Sequence, residues 1–366
     1  MIEQIIRETT LKKESRQVLL DRIQGKRISL IDAFDIYTKT PLSVLGAVAD
    51  YITQKIHNNK VYYNRNFHLE PTNICVYDCS FCSYSRKEGQ QGSWDLSIED
   101  MLEKVKQNAS ATEVHIVGGV HPERDVFYYA DFLAKIKGLR PDIHVKAFTA
   151  VEIEFMSSKA GVEINEGLSI LKKAGLNSIP GGGAEIFNDT IRETLCGRKA
   201  NSKTWLKVHK HAHLNAIPSN ATILYGHVEN VEHRIQHLDK IRNLQDETGG
   251  FNAFIPLKYK HKDNFLSHLK ELSLIEDLRM MAFCRLFLDN IPNLKAYWPM
   301  YGKETAYLML SFGANDMDGT IEDSTRIYSM AGSEEQNPVL SVSEIVSELQ
   351  RMGKKAVERD SLYNEL

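Results

Sequence analysis

The sequence has little cysteine and no long apolar run. Only five of its 366 residues are cysteines, and three of these fall within residues 75–82, which leaves Cys196 and Cys284 elsewhere. Five cysteines grouped in this way do not suit a disulfide framework, so we expect a reducing compartment, the cytoplasm. We find no uninterrupted apolar segment long enough to span a bilayer, and we therefore expect no membrane as a partner.

The chain also lacks a strong excess of charge of either sign. Its 45 Lys and Arg against 48 Asp and Glu give a net charge of −3. Proteins that bind nucleic acid usually present a basic face, so no nucleic acid is expected as a partner. The hydrophobic content of 42% and the charged content of 25% are ordinary for a globular protein. No internal repeat or low-complexity linker interrupts the chain.

The most informative feature that is present is a group of three cysteines. Cys75, Cys79 and Cys82 have the spacing C-x3-C-x2-C, and Phe81 precedes the last of them. Three thiolates on so short a loop can hold three corners of a cubane iron–sulfur cluster, whereas a cluster that only stores electrons normally takes four cysteines. The fourth iron is then free to bind another molecule. Two alternatives remain: a structural zinc site, for which only His68 lies near enough to add a ligand, and a chance grouping of inert cysteines.

Hydrophobic periodicity predicts helices first and a parallel sheet afterwards. Residues 1–60 carry apolar stripes at helical spacing, and strand-like and helix-like segments alternate after them. The predicted strands are 67–72, 114–117, 144–148, 177–179, 221–225, 251–256, 294–298 and 308–312. We therefore predict a (β/α)8 TIM-type barrel over residues 61–366, preceded by a helical extension over residues 1–60. An open (β/α)6 barrel is the alternative. After Ser341 we expect a closing helix and then a charged tail.

Glycines and carboxylates are concentrated where the predicted strands end. The chemistry of parallel barrels lies at these ends. Gly118 and Gly119 would let the backbone approach a ligand closely, and Glu185 after residues 181–183 would suit a cis-diol such as a ribose. A tight turn and a solvated glutamate are the respective alternatives.

Other polar residues have weaker signals. Glu152 after the third strand is a second candidate for ligand binding, with an ion pair to Lys146 as its alternative. His209 and His213, one turn apart, are predicted to be solvated helix residues rather than metal ligands.

The cysteine spacing, with Phe81 in the aromatic position, resembles the signature of the radical S-adenosylmethionine (SAM) superfamily. In that superfamily the open iron chelates SAM, and one electron from a [4Fe–4S] cluster cleaves SAM to methionine and a 5′-deoxyadenosyl radical. The resemblance implies a cluster on Cys75, Cys79 and Cys82, SAM as a consumed co-substrate, and a flavodoxin- or ferredoxin-type electron donor. The SAM contacts that we expect are Tyr77, Phe81, Gly118, Gly119, Glu152, Glu185, Ile223 and Tyr225.

Segments outside the cysteine motif resemble a narrower family, the aminofutalosine synthases of the futalosine route to menaquinone. These segments are 68–73, 115–122, 180–187, 225–227, 295–299 and 313–316. The resemblance implies a transferase that adds the 5′-deoxyadenosyl radical to 3-[(1-carboxyvinyl)oxy]benzoate, with aryl migration and loss of carbon dioxide. Dehypoxanthine futalosine cyclase of the same pathway is the alternative enzyme. An iron–sulfur electron carrier or redox sensor is the alternative from another class, and it would need no glycine-lined mouth.

A small-molecule substrate with two carboxylates and a flat ring calls for cations or amide donors beside aromatic walls. Residues of these types lie at the predicted strand ends. They are His68, His227, Lys258, Tyr259, Tyr297, Trp298 and Asn315. The sequence assigns no residue to proton transfer.

Overall fold

A ring of parallel strands forms the centre of the computed structural model, which describes residues 2–366. The strands are β1 Lys60–Leu69, β2 Glu113–Ile116, β3 His144–Ala147, β4 Ser219–Tyr225, β5 Phe251–Lys258, β6 Asn293–Leu294, β7 Asp316–Ile321 and β8 Lys355–Glu358. One sheet has the order β3-β2-β1-β7, and the other has the order β4-β5-β6. All of these pairs are parallel.

Single-residue bridges join the two sheets into a closed barrel. The parallel bridges are Lys146 to Ser178, Ile179 to Ser219, and Lys295 to Asp316. Residues 178–179 therefore form a very short strand between β3 and β4, and β6 meets β7. Together with β1 to β7, this short strand makes eight strands in the barrel, whereas β8 pairs only with β1. Closure removes the exposed edges that an open sheet leaves. The predicted (β/α)8 barrel is confirmed, and the open six-stranded alternative is wrong.

Helices cover the outside of the barrel. They are α1 Ile2–Glu8, α2 Lys13–Ile23, α3 Leu30–Lys39, α4 Leu42–His57, α5 Ile98–Gln107, α6 Val126–Leu139, α7 Ala150–Lys159, α8 Ile164–Ala174, α9 Asp189–Cys196, α10 Ser202–Leu214, α11 Val231–Thr248, α12 Leu274–Phe287, α13 Trp298–Tyr301, α14 Lys303–Met309, α15 Ile327–Met330 and α16 Val342–Arg351. Capping boxes begin α5 at Ser97, α7 at Thr149 and α16 at Ser341. No helix between residues 2 and 366 combines the length and apolar character that crossing a membrane requires.

The four N-terminal helices pack on the side of the barrel rather than standing apart from it. Val48 and Ala49 of α4 are fully buried, and the Thr53 hydroxyl donates to the Gly313 carbonyl at 3.1 Å. Their apolar residues join the same hydrophobic cluster as the barrel strands. The division of the chain into two domains at residue 60 stays a prediction.

Two predictions near the C-terminus are wrong. The predicted strand 308–312 lies at the end of α14 and in the turn after it, because a short apolar run has the same appearance in a buried helix as in a strand. The last barrel strand is β7. Its Asp316 and Asp318 interrupt the apolar run by which a buried strand is recognised in a sequence. The predicted charged tail forms β8, which pairs with the first half of β1.

The histidines of α10 are not solvated as predicted. His209 is fully buried, and its ring stacks on Trp205 with centroids 3.7 Å apart. His209 Nδ1 and His213 Nε2 both contact the Ser219 hydroxyl, at 2.9 and 2.8 Å. These histidines therefore fasten α10 to β4 on the outside of the barrel.

Candidate active site

The three clustered cysteines lie on a loop, residues 70–97, that leaves the C-terminal end of β1. Backbone hydrogen bonds hold this cluster loop against segments that follow other strands. The Val76 N–H donates to the Val120 carbonyl at 3.0 Å, and the Ser80 N–H donates to the Leu195 carbonyl at 2.8 Å. The loop is therefore fixed at the mouth of the barrel, where parallel barrels carry their chemistry.

The thiols on this loop are largely withdrawn from solvent: Cys79 is buried, and Cys75 and Cys82 are half-buried. Burial raises the pKa of Cys75. The hydrogen bond from the Ser80 N–H to the Leu195 carbonyl holds the end of α9 against the loop, so Cys196 lies near Cys79. The neighbouring Cys196 thiol and burial raise the pKa of Cys79.

The donor set fits a [4Fe–4S] cluster better than a single metal ion. Among residues 2–366 no three His, Cys, Asp or Glu side chains converge closely enough to hold one ion. In a cubane each thiolate binds a different iron, so the sulfurs need only surround a common space. Cys75, Cys79 and Cys82 lie within eight residues on one loop at the mouth of the barrel, and Cys82 lines the adjoining cavity.

Two glycines after β2 allow the cluster loop to pack against the barrel. A Cβ atom at Gly118 would lie 2.8 Å from the Thr72 carbonyl oxygen, and one at Gly119 would lie still closer to the Ile74 carbonyl oxygen. Both clashes are with backbone of the cluster loop, so the tight approach of two backbones accounts for the glycine pair. Gly118 also lines the cavity described next.

A cavity of about 290 Å³ opens beside the cluster loop, at the C-terminal ends of the strands. Phe81, Cys82, Gly118, the glycine run 181–183 and Glu185 line it on the loop side. The expected SAM contacts at Phe81, Gly118 and Glu185 therefore lie on one continuous surface with Cys82.

Other expected SAM contacts lie off this surface. Tyr77 packs edge-on against Phe155, with ring centroids 6.4 Å apart. Ile223 and Tyr225 of β4 point away from the cavity, because Asn220, Thr222 and Leu224 are the residues of this strand that line it. The Tyr225 hydroxyl instead donates to Asp277 at 2.8 Å, on the outside of the barrel.

Glu152 belongs to a helix cap rather than to the cavity surface. Its carboxylate accepts a hydrogen bond from the Thr149 N–H at 2.7 Å and completes the capping box of α7. Burial raises its pKa to about 7. Lys146 is not its ion-pair partner, because Lys146 pairs with Glu113 at 2.7 Å.

Glu185 forms a buried ion pair that the sequence analysis missed. Lys199 Nζ lies 2.5 Å from Glu185 Oε1 and 5.4 Å from the centre of the Phe81 ring. Burial raises the pKa of Glu185, but the Lys199 charge more than offsets this, and the pKa is lowered. Burial lowers the pKa of Lys199, and the charges of Cys79 and Glu185 more than offset it, so that pKa is raised. Both groups are therefore ionised beside the cluster thiols.

The position of Lys199 shows which signal could have identified it. It comes three residues after Cys196 at the end of α9, in the loop that follows the glycine run. This loop returns over the cluster loop, where Arg198 forms an ion pair with Asp78. In the sequence, the signal for Lys199 is the basic pair Arg198-Lys199, which is separated from Cys196 by one glycine and lies downstream of a predicted strand end.

Four of the seven candidate substrate residues line the cavity. They are His68, Lys258, Tyr259 and Tyr297. Lys258 Nζ donates to Asp277 at 2.9 Å, and the Tyr259 hydroxyl donates to Asn264 at 2.7 Å. Lys258 and Tyr259 are therefore held in place by hydrogen bonds within the chain.

The other three candidates lie elsewhere. The His227 ring donates to the Leu224 carbonyl at 3.0 Å and does not reach the cavity. Trp298 is fully buried in the wall, and its indole N–H donates to the Gly319 carbonyl at 2.9 Å. Asn315 directly precedes β7, so it lies at the opposite, N-terminal end of the barrel.

These features define a class of protein. A closed parallel barrel, three thiols on a loop at its mouth and an adjoining glycine-lined cavity are the architecture of an enzyme that holds an iron–sulfur cluster next to a small-molecule ligand. The electron-carrier alternative does not account for the cavity.

Comparison with known proteins identifies the family. Residues 69–241 match the family described as the Radical SAM superfamily, and residues 248–363 match the CofH/MqnC C-terminal region. The chain belongs to the radical SAM superfamily, whose members use a [4Fe–4S] cluster and SAM, and to its branch with this C-terminal region.

Relatives within this branch carry different names. The chain is 39% identical to an aminodeoxyfutalosine synthase of Thermus thermophilus over 94% of both chains. It is 36% identical to a 5-amino-6-(D-ribitylamino)uracil–L-tyrosine 4-hydroxyphenyl transferase of Methanocaldococcus jannaschii, over 94% of this chain and 98% of that one. It is 33% identical to a cyclic dehypoxanthine futalosine synthase of Streptomyces coelicolor, over 97% of this chain and 90% of that one.

The fold is similar to that of a solved enzyme. The crystal structure of methylornithine synthase (PylB) superposes with a TM-score of 0.74 at 16% identity, and it covers 93% of this chain and 97% of that one. The likeness supports the barrel architecture and carries no information on the substrate.

Proposed function

We propose that the chain is a radical SAM transferase that joins the adenosyl part of SAM to 3-[(1-carboxyvinyl)oxy]benzoate. Migration of the aryl group, loss of carbon dioxide and return of one electron then give 6-amino-6-deoxyfutalosine for menaquinone biosynthesis. The observation that carries this proposal is the 39% identity to an aminodeoxyfutalosine synthase over 94% of both chains.

The cluster loop supports the SAM half of the reaction. Cys75, Cys79 and Cys82 would hold the cluster, which when bound supplies one electron to SAM. Glu185 would accept hydrogen bonds from the ribose hydroxyls, and Lys199 would keep that carboxylate ionised. Gly118 would leave room for the methionyl end of SAM beside the cluster loop.

The opposite wall supports an aromatic substrate. Tyr297 and Tyr328 line the cavity with ring centroids 5.2 Å apart. Burial raises the pKa of both phenols, so they stay protonated and can donate hydrogen bonds. An apolar, enclosed wall also protects a radical from water.

The chemistry also requires a source of electrons. A flavodoxin- or ferredoxin-type donor would supply them, and a cluster with an open iron needs a reducing compartment such as the cytoplasm. All five cysteines are free, which fits that environment.

The cyclase of the same pathway is the second candidate, supported by the 33% identity to the Streptomyces coelicolor enzyme. The two reactions differ in the fate of the adenosyl group. An adding enzyme keeps the adenosyl carbon bonded to its substrate, whereas an enzyme that abstracts hydrogen releases 5′-deoxyadenosine.

Product analysis with labelled SAM separates these candidates. Reduced enzyme, SAM labelled in the adenosine and the enolpyruvyl benzoate should give methionine and a labelled adenosine–aryl adduct, with little free 5′-deoxyadenosine. If the label appears in 5′-deoxyadenosine, the benzoate stays unchanged and dehypoxanthine futalosine is consumed, the chain is the cyclase.

A further inference from the structure

Two histidines lie side by side inside the barrel. His68 of β1 and His115 of β2 are direct neighbours in the parallel pairing, and their ring centroids are 4.4 Å apart. Both line the cavity. His115 precedes Gly118 by three residues along the direction of β2, so the pair lies deeper in the barrel than the surface next to the cluster loop.

Most of the ring nitrogens of this pair have no partner. His68 Nδ1, His68 Nε2 and His115 Nε2 are buried without a hydrogen bond to the described chain, and His68 is only 4% exposed. Burying a polar atom without a hydrogen bond is unfavourable. The two rings line the cavity, and three unpartnered nitrogens next to it indicate a place where a ligand supplies the missing partners.

The neighbouring side chains show what kind of ligand fits. Lys146, the neighbour of His115 on β3, and Lys295 also line the cavity. Lys146 donates one hydrogen bond to Glu113, at 2.7 Å, and Lys295 donates one to Asp318, at 2.5 Å. An ammonium group carries three N–H donors, so each lysine retains donors beside the histidine pair. A cavity floor rich in donors suits a carboxylate.

We propose that the His68–His115 pair, with Lys146 and Lys295 beside it, binds the ring carboxylate of the aryl enol ether. This inference rests on the proposed function. The reacting double bond must lie towards the cluster loop and SAM, and the ring carboxylate is at the other end of that substrate. Two neutral imidazoles can each donate one N–H to its two oxygens, and the aromatic ring would then lie against Tyr297.

Binding to unreduced enzyme tests this proposal without turnover. Reconstituted protein with SAM would be titrated by calorimetry with 3-[(1-carboxyvinyl)oxy]benzoate and with the same enol ether lacking the ring carboxylate, 2-phenoxyacrylate. The wild type should bind the benzoate roughly ten- to hundredfold more tightly, the usual effect of hydrogen bonds to a charged group. His115→Phe should reduce this preference to about threefold or less, and His115→Asn, which keeps a donor, should restore part of it.

The thermal stability of a second variant distinguishes a ligand-binding role of His68 from a structural one. His68→Phe removes two unpartnered polar atoms, so the ligand-free variant should melt about 1–3 °C above the wild type. His213→Phe is the matched control: it removes a histidine that is hydrogen-bonded on the outside of the barrel. It should lower the melting temperature and leave the preference for the carboxylated ligand unchanged.

The outcomes distinguish the two proposals. If the wild type converts the benzoate but the preference survives in His115→Phe, or if His68→Phe melts several degrees lower, the histidine pair is structural and this inference is wrong. If the wild type binds neither ether, the proposed function fails and the proposed occupant of the subsite fails with it.

Discussion

The two ends of β1 are built differently. Its first half pairs with β8 over residues 60–63, and its second half pairs with β2 over residues 66–69. At the first end, Arg359 follows β8 and forms a fully buried ion pair with Asp316 at 2.6 Å. At the second end lie the cluster loop with its free thiols and His68 with its unpartnered ring.

The buried groups at the first end of β1 stabilise the fold, whereas those without partners at the second end indicate a ligand site. Arg285, at the first end, donates to the carbonyls of Gly313 and Pro292 and to the Asn315 side chain, each at 2.7–2.8 Å. These donors are paired within the chain. At the second end, His68 Nδ1, His68 Nε2 and His115 Nε2 are buried without a partner in the described chain, as expected where a ligand binds at the catalytic end of a parallel barrel.

The largest effect should come from removing a cluster ligand. Cys79→Ala should abolish turnover, and reconstituted wild-type protein should hold one [4Fe–4S] cluster, about four irons per chain. Iron and sulfide analysis with an activity assay measures both. Cys284→Ala, which changes a fully buried thiol in α12, is the control and should keep the full iron content. Roughly eight irons per chain, or an active Cys79→Ala variant, would contradict the cluster assignment.

The next effect concerns stability at the opposite end of β1. Asp316→Asn leaves the Arg359 guanidinium buried without a counter-charge, which typically costs about 3–5 kcal/mol. The free energy of unfolding in urea measures this loss. Asp323→Asn breaks a half-exposed pair with Arg326 and should cost about 0–1 kcal/mol. Equal losses in the two variants would show that the buried pair has no special role.

The features that could be predicted from the sequence are those encoded by local spacing. The cysteine motif depends on positions within eight residues, and the capping box of Ser97 and Asp100 that begins α5 depends on positions within four. Hydrophobic runs identified the strands β2, β3, β4 and β5. These signals do not depend on how distant parts of the chain meet.

The features that escaped prediction depend on distant contacts. The polar strand β7 is stable because Asp318 is neutralised by Lys295, and Lys199 reaches Glu185 only because the loop after α9 returns to the mouth. The sequence indicated His115 only as part of the segment 115–122. The lack of a hydrogen-bond partner for its ring nitrogen is visible only in the folded chain. Asn315 lies at the opposite end of the barrel because the last strand was predicted too early in the chain, and Trp298 lies in α13 rather than at a strand end.

A smaller effect is expected for SAM binding. Glu185→Gln removes a charge-assisted hydrogen bond to the ribose, which typically costs about 1.5–3 kcal/mol, roughly a ten- to hundredfold loss of affinity. Calorimetric titration of the reconstituted variant with SAM measures the dissociation constant, and iron content should stay unchanged. Glu193→Gln, on the exposed face of α9, should bind SAM as the wild type does. An unchanged dissociation constant in Glu185→Gln would place the ribose elsewhere.

The smallest effect compares two buried histidines, one near each end of β1. Burial lowers the pKa of His57 to about 4, with a contribution from the Arg285 charge. Burial also lowers the pKa of His68 to about 4, although the charges of Asp318 and Glu113 act in the opposite direction. Above its unfolded pKa of about 6.5, a histidine with a depressed folded-state pKa is neutral in both states. As the pH falls from 6.5 towards 4, the unfolded state binds the proton first, so the free energy of unfolding decreases.

Replacing either histidine by phenylalanine should therefore flatten the pH dependence of stability in the same direction, by about 1–2 kcal/mol between pH 8 and pH 5. At pH 8 the two variants should differ in sign. His57 donates to the Pro292 carbonyl at 2.8 Å, so His57→Phe should be less stable than the wild type, whereas His68→Phe loses no hydrogen bond within the chain and should be more stable. Urea unfolding at both pH values measures this, with the exposed His268→Gln as the control. If both variants are destabilised at pH 8, the unpartnered ring of His68 is no mark of a ligand site, and the contrast between the two ends of β1 does not hold.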